Sequence, residues 1–134
     1  MKAFIKYLLA LVFLISSAMK LIDFRNTINF YSGVLDLSFN LARILIVLLI
    51  LIELMFSLFI LFDFIKYNTV FYLIACALII FTAASVMFWI TGINNCGCFG
   101  TIITDKPLVS IIKNIFLFAA LIVLRKQTVR VKYA

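Results

Sequence analysis

The stretch at residues 41–62, LARILIVLLILIELMFSLFILF, decides what class of protein this is. It is apolar almost throughout and carries charges only at Arg43, near its start, and Glu53, near its middle. A helix of about 20 apolar residues spans the roughly 30 Å hydrocarbon core of a bilayer. The stretch therefore predicts a transmembrane helix, and the rest of the chain extends that prediction.

The composition of the whole chain is typical of a membrane protein. Of its residues 67% are hydrophobic and only 13% are charged, and no globular domain of this size could bury so much apolar side chain. Three further apolar stretches, at residues 3–22, 70–90 and 108–124, are long enough to be spans. We therefore predict a single domain over residues 1–134, an all-α membrane protein built as a four-transmembrane-helix bundle in the lipid bilayer.

The polar stretch between the first two spans, residues 23–40, carries an apolar stripe. Spacings of four, three and four residues separate Phe24, Ile28, Tyr31 and Leu35, which places them on one face of a helix. This pattern predicts an amphipathic helix in the membrane interface, and we expect it to cover part of the loop before the last span. An ordinary connecting loop with incidental periodicity is the alternative.

The side chains with chemistry of their own are the two thiols of Cys96-Gly97-Cys98-Phe99-Gly100. A disulfide needs Cα atoms about 4.4–6.8 Å apart, so a bridge between residues two apart requires a tight bend. Gly97 and Gly100 allow that bend because they adopt positive φ without a Cβ clash. A bridge in so small a ring is strained and exchangeable. The pattern favours a redox pair in which Cys96 and Cys98 are catalytic.

Other roles for the thiols fit the sequence less well. Structural zinc and iron–sulfur sites usually have four ligands, so a chain with three cysteines and no histidine could bind such a metal only at a site shared between molecules. A structural staple is a weak explanation, since closing so small a loop removes little chain entropy. Two reduced thiols in a turn remain an alternative. Cys76 lies within the third span, where we expect a small buried hydrophobic residue.

Charged residues inside or beside the spans are the second set of candidates. A carboxylate at the bilayer centre costs about 2.5–3.5 kcal/mol unless it is protonated or paired, so Glu53 should face the bundle interior, either as a functional residue or as a structural hydrogen-bond partner. Lys113 can extend its ammonium toward the interface. Lys20 and Glu53 are the only basis for a transporter or channel, which we disfavour because no span is broken by Gly or Pro at mid-depth.

The distribution of positive charge predicts the orientation. The net charge of +7 is spread singly between apolar runs and gathers at the C-terminus, which indicates attraction to an anionic inner leaflet and not nucleic-acid binding. Seven basic residues lie with the termini and five lie at the other face, so both termini are predicted to be cytoplasmic. In a bacterium, the cysteine loop at residues 91–107 would then face the periplasm, where disulfides persist. The seven basic residues counted on the side of the termini are Lys2, Lys6, Lys66, Arg125, Lys126, Arg130 and Lys132.

Several stretches resemble those of the methylamine utilisation protein MauE and the broader MauE/DoxX-like redox-associated membrane proteins. Cys96-Gly97-Cys98-Phe99-Gly100 is similar to the family's C-G-C-F-G signature before the last helix, and this motif is fairly specific. A departure is Ala18, where the family often has glycine. The weaker similarities are Ser17-Ala18-Met19-Lys20-Leu21, the aromatic pair Phe24 and Tyr31, Glu53-Leu54 and Lys113-Asn114.

The resemblance implies an inner-membrane protein that supports disulfide formation or thiol electron transfer for exported proteins, often with a periplasmic thioredoxin-like or other cysteine-containing partner. One cysteine would form a mixed disulfide with the partner and the other would resolve it. Lys106 is the nearest cation in the sequence that could favour the thiolate. The remaining candidate residues are Gly97, Phe99 and Gly100 in the loop, and Lys20, Glu53, Lys113 and Asn114 within the membrane.

The sequence fixes no cofactor. A membrane quinone held near Glu53 is a candidate electron acceptor, by analogy with other helix-bundle proteins that generate disulfides. The alternative function is a non-catalytic membrane subunit that anchors or assembles a larger complex through its apolar helices and amphipathic segment.

Overall fold

The computed structural model describes residues 1–66, 68–97 and 99–133. Tyr67, predicted to lie in a turn, and Cys98, predicted to be catalytic, fall outside the described residues. Among the described residues, four helices are long and apolar enough to cross a membrane, which confirms the predicted all-α membrane bundle. The helices are α1 (Lys2–Ile22), α2 (Phe24–Leu35), α3 (Phe39–Leu61), α4 (Asn68–Ile90) and α5 (Pro107–Tyr133), with a 3₁₀ turn (Phe64–Lys66) before α4.

Local sequence explains where several helices begin and end. Asp36 stops α2 because it takes a left-handed backbone conformation, with φ of 51°. The hydroxyl of Ser38 then caps α3 by accepting a hydrogen bond from the amide of Leu41. Pro107 is the first residue of α5, a position where its missing amide hydrogen costs nothing.

The last helix extends beyond the predicted span at residues 108–124. α5 continues to Tyr133, and its apolar, membrane-length part covers Pro107–Arg130. Arg125 and Lys126 do not end the helix, because Arg, Lys and Gln are good helix formers and neither Gly nor Pro follows Leu124. The basic cluster therefore lies on a helical extension of the bundle.

Two helix pairs form the bundle. α1 packs along α3, α4 packs along α5, and α1 also touches α5 between the two pairs. α3 and α4 are consecutive in the chain but do not pack along their length. The 3₁₀ turn contacts α3, α4 and α5, and so it closes the seam between α3 and α4 at one end of the bundle only.

The end of the bundle that holds the 3₁₀ turn, which we call the closed end, has an apolar core. Lys6 and Asp63 form an ion pair of 2.8 Å at its rim, and Arg125 donates a 2.7 Å hydrogen bond to Asn68 there. Each of the four membrane-length helices contributes to the core, and three core residues, Phe13, Leu78 and Leu117, also line the cavity described below. The core residues are Leu9, Ala10, Phe13, Phe56, Ile60, Ile65, Ile74, Ala75, Leu78, Leu117, Leu121 and Leu124.

The opposite end, which we call the loop end, carries α2 and the loop between α4 and α5. α2 is the predicted amphipathic helix: Ile28 is buried against Ala42, Ile46 and Ile50 of α3. Leu35, the last member of the predicted stripe, is exposed. The stripe of α2 thus fixes the helix against α3, over the start of the second span.

One expectation about the third span is wrong. Cys76 is exposed on the outer surface of α4, whereas we expected it to be buried. α4 is apolar on all sides, so the periodicity of its sequence gives no indication of which side faces the core. A small, weakly polar thiol is compatible with a lipid-facing position.

Candidate functional site

The cysteine loop is fixed by close packing of Gly97 on α2. Gly97 has φ of 65°, in the left-handed region that favours glycine. A Cβ atom at this position would lie 2.7 Å from Cε1 of Phe30, so the aromatic side chain occupies the space that a larger residue would need. The hydroxyl of Tyr31 donates a 3.3 Å hydrogen bond to the carbonyl of Gly97. α2 therefore covers the cysteine loop, as predicted.

A second set of contacts fastens the far side of the turn. The amide of Gly100 donates a 3.0 Å hydrogen bond to the carbonyl of Gly97, which closes a tight turn across the motif. Gly100 has φ of 73° and lies close to the hydroxyl of Thr27. The hydroxyl of Thr101 donates to the carboxylate of Asp23, which joins α1 to α2. Both glycines of the motif thus take the positive φ that the sequence predicted.

Cys96 points into the bundle and not toward the surface. Its exposure is 1%, and its amide donates a 3.1 Å hydrogen bond to the carbonyl of Asp105. From α5, Lys113 places its ammonium 3.9 Å from the centre of the Phe99 ring and 3.8 Å from the carboxylate of Asp105. The loop is therefore held from α2 on one side and from α5 on the other.

Beneath the loop lies a cavity of about 270 Å³. Its wall is mainly apolar, and the loop contributes Cys96 and Phe99 to it. Predicted site residues from three helices also reach it, although they lie far apart in the sequence. The polar and thiol-bearing side chains that line the cavity are Ser16, Lys20, Tyr31, Glu53, Ser85, Cys96, Lys113 and Asn114.

Lys20 and Glu53 form a buried ion pair in the wall of this cavity. The ammonium of Lys20 donates hydrogen bonds of 2.7 Å to Oε1 of Glu53 and 2.9 Å to the hydroxyl of Ser16. Ser16 in turn donates a 3.1 Å hydrogen bond to the same Oε1. Opposite charges in contact offset much of the cost of removing each from water. Glu53 thus faces the bundle interior, as its cost in lipid requires.

Asn114 presents a buried hydrogen-bond donor in the cavity wall. The residue is 5% exposed, and within the described part of the chain its amide nitrogen Nδ2 has no hydrogen-bond partner. A buried donor without a partner costs about 1–3 kcal/mol. Such a donor in a cavity wall is available to an acceptor on a bound molecule.

The structure brings together most of the predicted site residues and separates one from them. Lys20, Glu53, Cys96, Lys113 and Asn114 are among the residues that line one cavity. Lys106, the cation nearest the cysteines in the sequence, has an exposed side chain and is absent from the described cavity wall. Lys113 reaches the cavity wall because α5 turns back under the loop.

Several contributors were not predicted as site residues, among them Ser16 and Phe30. Ser16 lies four residues before Lys20, on the same face of α1, and that spacing is a usable signal. Phe30 supports Gly97 but lies outside the apolar stripe of α2, so no sequence pattern indicated it. Among the residues that the structure describes, no group of three His, Cys, Asp or Glu side chains could hold a metal ion.

Comparison with known proteins gives one result. A family model described as methylamine utilisation protein MauE matches residues 1–126. Because this match covers nearly the whole chain, the protein belongs to that family, which confirms the MauE part of the resemblance. No curated protein and no solved structure gives a significant match.

Proposed function

We propose that this member of the MauE family is a thiol–disulfide exchange protein of the bacterial inner membrane, acting on exported proteins. The observation that carries the proposal is the position of Cys96: it lies in a turn fastened from two helices and lines a cavity with a buried ion pair. Buried charged groups within a membrane bundle are costly and usually mark functional sites. The wider likeness to DoxX-like redox proteins is consistent with this role and stays a prediction.

The two cysteines are assigned different roles because Cys96 is buried. A folded partner cannot reach a thiol that is 1% exposed unless the loop moves. Cys98 is therefore proposed to form the mixed disulfide with the partner, and Cys96 to resolve it. Cys96 resolves the mixed disulfide when a partner disulfide is reduced. In the oxidising direction, a partner thiolate attacks Cys98, Cys96 leaves as a thiol, and the partner's second thiol then releases Cys98, so two partner thiols become a disulfide and the Cys96–Cys98 disulfide becomes two thiols.

The proposed location follows from the charge distribution. The closed end carries Lys6, and the basic extension of α5 lies beyond it, so this end is placed at the cytoplasm. The loop end would then face the periplasm, where a thioredoxin-like or other cysteine-containing protein could dock. The family name refers to methylamine utilisation, so exported proteins that serve this process are the first partners to test.

Substitution of each cysteine tests the exchange. When Cys96→Ala is presented with a partner in its disulfide form, we expect a disulfide-linked adduct to accumulate on Cys98, because Cys98 attacks the partner disulfide and the resolving thiol is missing. Cys98→Ala should give no adduct and should leave the partner's cysteines in the state found without this protein. The measurements are non-reducing electrophoresis after rapid acid quenching, and thiol counting by mass spectrometry.

Cys76→Ala is the matched control, since Cys76 lies on the outer surface of α4. It should behave as the unsubstituted protein in both measurements. A partner redox state that does not change in any cysteine variant, together with stoichiometric co-purification of a membrane complex, would contradict exchange. That result would instead favour the non-catalytic subunit that anchors or assembles a complex.

A further inference from the structure

The cavity beneath the cysteine loop opens sideways toward the surrounding membrane. Ile80 lines the cavity and is also 59% exposed, and it lies near the middle of α4. Leu45 and Leu49 line the cavity from α3, across the seam where α3 and α4 do not pack along their length. The mouth is therefore at the depth of the lipid tails, and a molecule dissolved in the bilayer can reach the cavity without crossing water.

The size and the lining of the cavity restrict what it can hold. An apolar cavity of about 150 Å³ accepts a benzene molecule, so about 270 Å³ accommodates a single substituted ring. Pockets for small molecules typically combine apolar walls with a few placed polar groups. Here the buried Nδ2 of Asn114 is a hydrogen-bond donor without a described partner, and it calls for an acceptor such as a carbonyl oxygen.

We infer that this cavity binds the ring of a membrane quinone, with Asn114 donating a hydrogen bond to one quinone carbonyl. A quinone has the required combination of a flat apolar ring, carbonyl acceptors and solubility in lipid. Cys96 lines the same cavity, so its thiol and the ring would be adjacent. This inference rests on the proposed function, because it supplies the acceptor for the electrons that exchange delivers to Cys96 and Cys98.

The reaction balances without a further reagent. The two thiols of Cys96 and Cys98 lose two protons and two electrons and form one S–S bond. The quinone gains the same two protons and two electrons and becomes the quinol, with two new O–H bonds. The quinol then leaves through the seam between α3 and α4, and the disulfide is ready for another partner.

Binding can be measured separately from thiol chemistry. The full-length protein in lipid nanodiscs would be titrated with decyl-ubiquinone, and binding would be followed by competition with a photoreactive azido-ubiquinone whose crosslinks are mapped by mass spectrometry. We expect crosslinks to cavity-lining segments of α3, α4 and α5. Asn114→Leu should weaken binding about tenfold, the effect of losing one buried hydrogen bond.

Two exposed alanines give a matched pair of cavity variants. Ala84 of α4 lines the cavity, whereas Ala119 of α5 lines neither this cavity nor the adjoining pocket that shares Asn114. Ala84→Leu should block the mouth and weaken binding at least tenfold, whereas Ala119→Leu should bind as the unsubstituted protein does. This comparison does not depend on Asn114, and helix content by circular dichroism would show that each variant is folded.

The outcomes separate the two proposals. The double variant Cys96→Ala/Cys98→Ala should fail to reduce decyl-ubiquinone, because it lacks the dithiol that supplies the two electrons. Equal binding by the Ala84→Leu, Asn114→Leu and unsubstituted proteins would overturn the quinone site and leave thiol exchange with a partner intact. Normal binding with no quinol formed by the dithiol-reduced protein would overturn the electron transfer, whatever the partner experiment shows.

Discussion

The two ends of the bundle are built differently, although the same four helices form both. At the closed end, the core is made of aliphatic and aromatic side chains, with its ion pair between Lys6 and Asp63 at the rim. At the loop end, the interior contains a cavity, the buried Lys20–Glu53 pair and the Asn114 Nδ2 atom, which has no hydrogen-bond partner among the described residues. Apolar packing dominates one end, whereas the other holds a cavity whose mainly apolar wall carries several polar groups.

This difference indicates that the closed end stabilises the domain and the loop end carries the candidate functional site. Packing of aliphatic and aromatic side chains at the closed end stabilises the fold, and these side chains have no reactive groups. The loop end is packed less closely because it contains the cavity, and its buried charges, Lys20 and Glu53, are stabilised by pairing with each other. A protein of this size can keep a cavity at one end because the other end holds the helices together.

The largest expected effect comes from breaking the buried ion pair. Lys20→Met keeps an unbranched side chain but leaves Glu53 as an uncompensated buried charge, so we expect the free energy of unfolding to fall by about 3–5 kcal/mol. Lys20→Met/Glu53→Leu should recover most of that loss, because a buried pair can be replaced by apolar residues at little cost. Unfolding in mixed micelles with a denaturing detergent measures both.

The pair at the closed end provides the control for this experiment. Lys6→Met breaks an ion pair whose Asp63 carboxylate is half exposed, and should cost less than about 1 kcal/mol. If Lys20→Met cost no more than Lys6→Met, the polar interior of the loop end would not depend on charge pairing. The contrast between the two ends would then be wrong.

A smaller loss of stability is expected from a cavity made at the closed end. Ile60 is fully buried there, and Ile60→Ala should lower the free energy of unfolding by about 2–3 kcal/mol through lost packing contacts. Ile44→Ala, at an exposed position on the same helix, should change it by less than about 0.5 kcal/mol. Ile60→Ala should leave the exchange rate of Cys96 and Cys98 unchanged, and a parallel loss of exchange would show that the two ends are not separate.

The smallest effect is expected from a methyl group added beneath the cysteine loop. Gly97→Ala places a Cβ against Phe30 at positive φ, so it should cost about 1–3 kcal/mol and speed the alkylation of Cys96. Gly92→Ala has the same backbone strain but no neighbour within 4 Å, and it isolates the strain. Gly33→Ala lies in α2 without positive φ or a close neighbour, and should stabilise by about 0.5–1 kcal/mol. Equal alkylation rates in all three would contradict close packing of the loop on α2.

Much of the fold could be predicted because the bilayer imposes simple rules. A run of apolar residues must become a helix when no water is present to satisfy its backbone, so the four spans follow from composition and length. The stripe from Phe24 to Tyr31 similarly predicted the amphipathic helix. The positive φ of Gly97 and Gly100 followed from the tight turn that two nearby cysteines require.

The sequence predicted the buried face of a spanning helix only where a charge marks it, as Glu53 does on α3. α4 is apolar on all sides, so its periodicity identified neither the exposed position of Cys76 nor the open seam between α3 and α4.

The sequence by itself determined that this is a four-helix membrane protein with a bent thiol loop, since hydropathy and glycine placement are local properties. Only the tertiary structure decided that Lys20, Glu53, Cys96 and Asn114 share one cavity, and that Lys113 contacts the loop at Phe99 and Asp105. The physical reason is that the rotation and pairing of helices depend on how their whole surfaces fit together. The sequence of a helix that is apolar on all sides does not indicate which side will be buried.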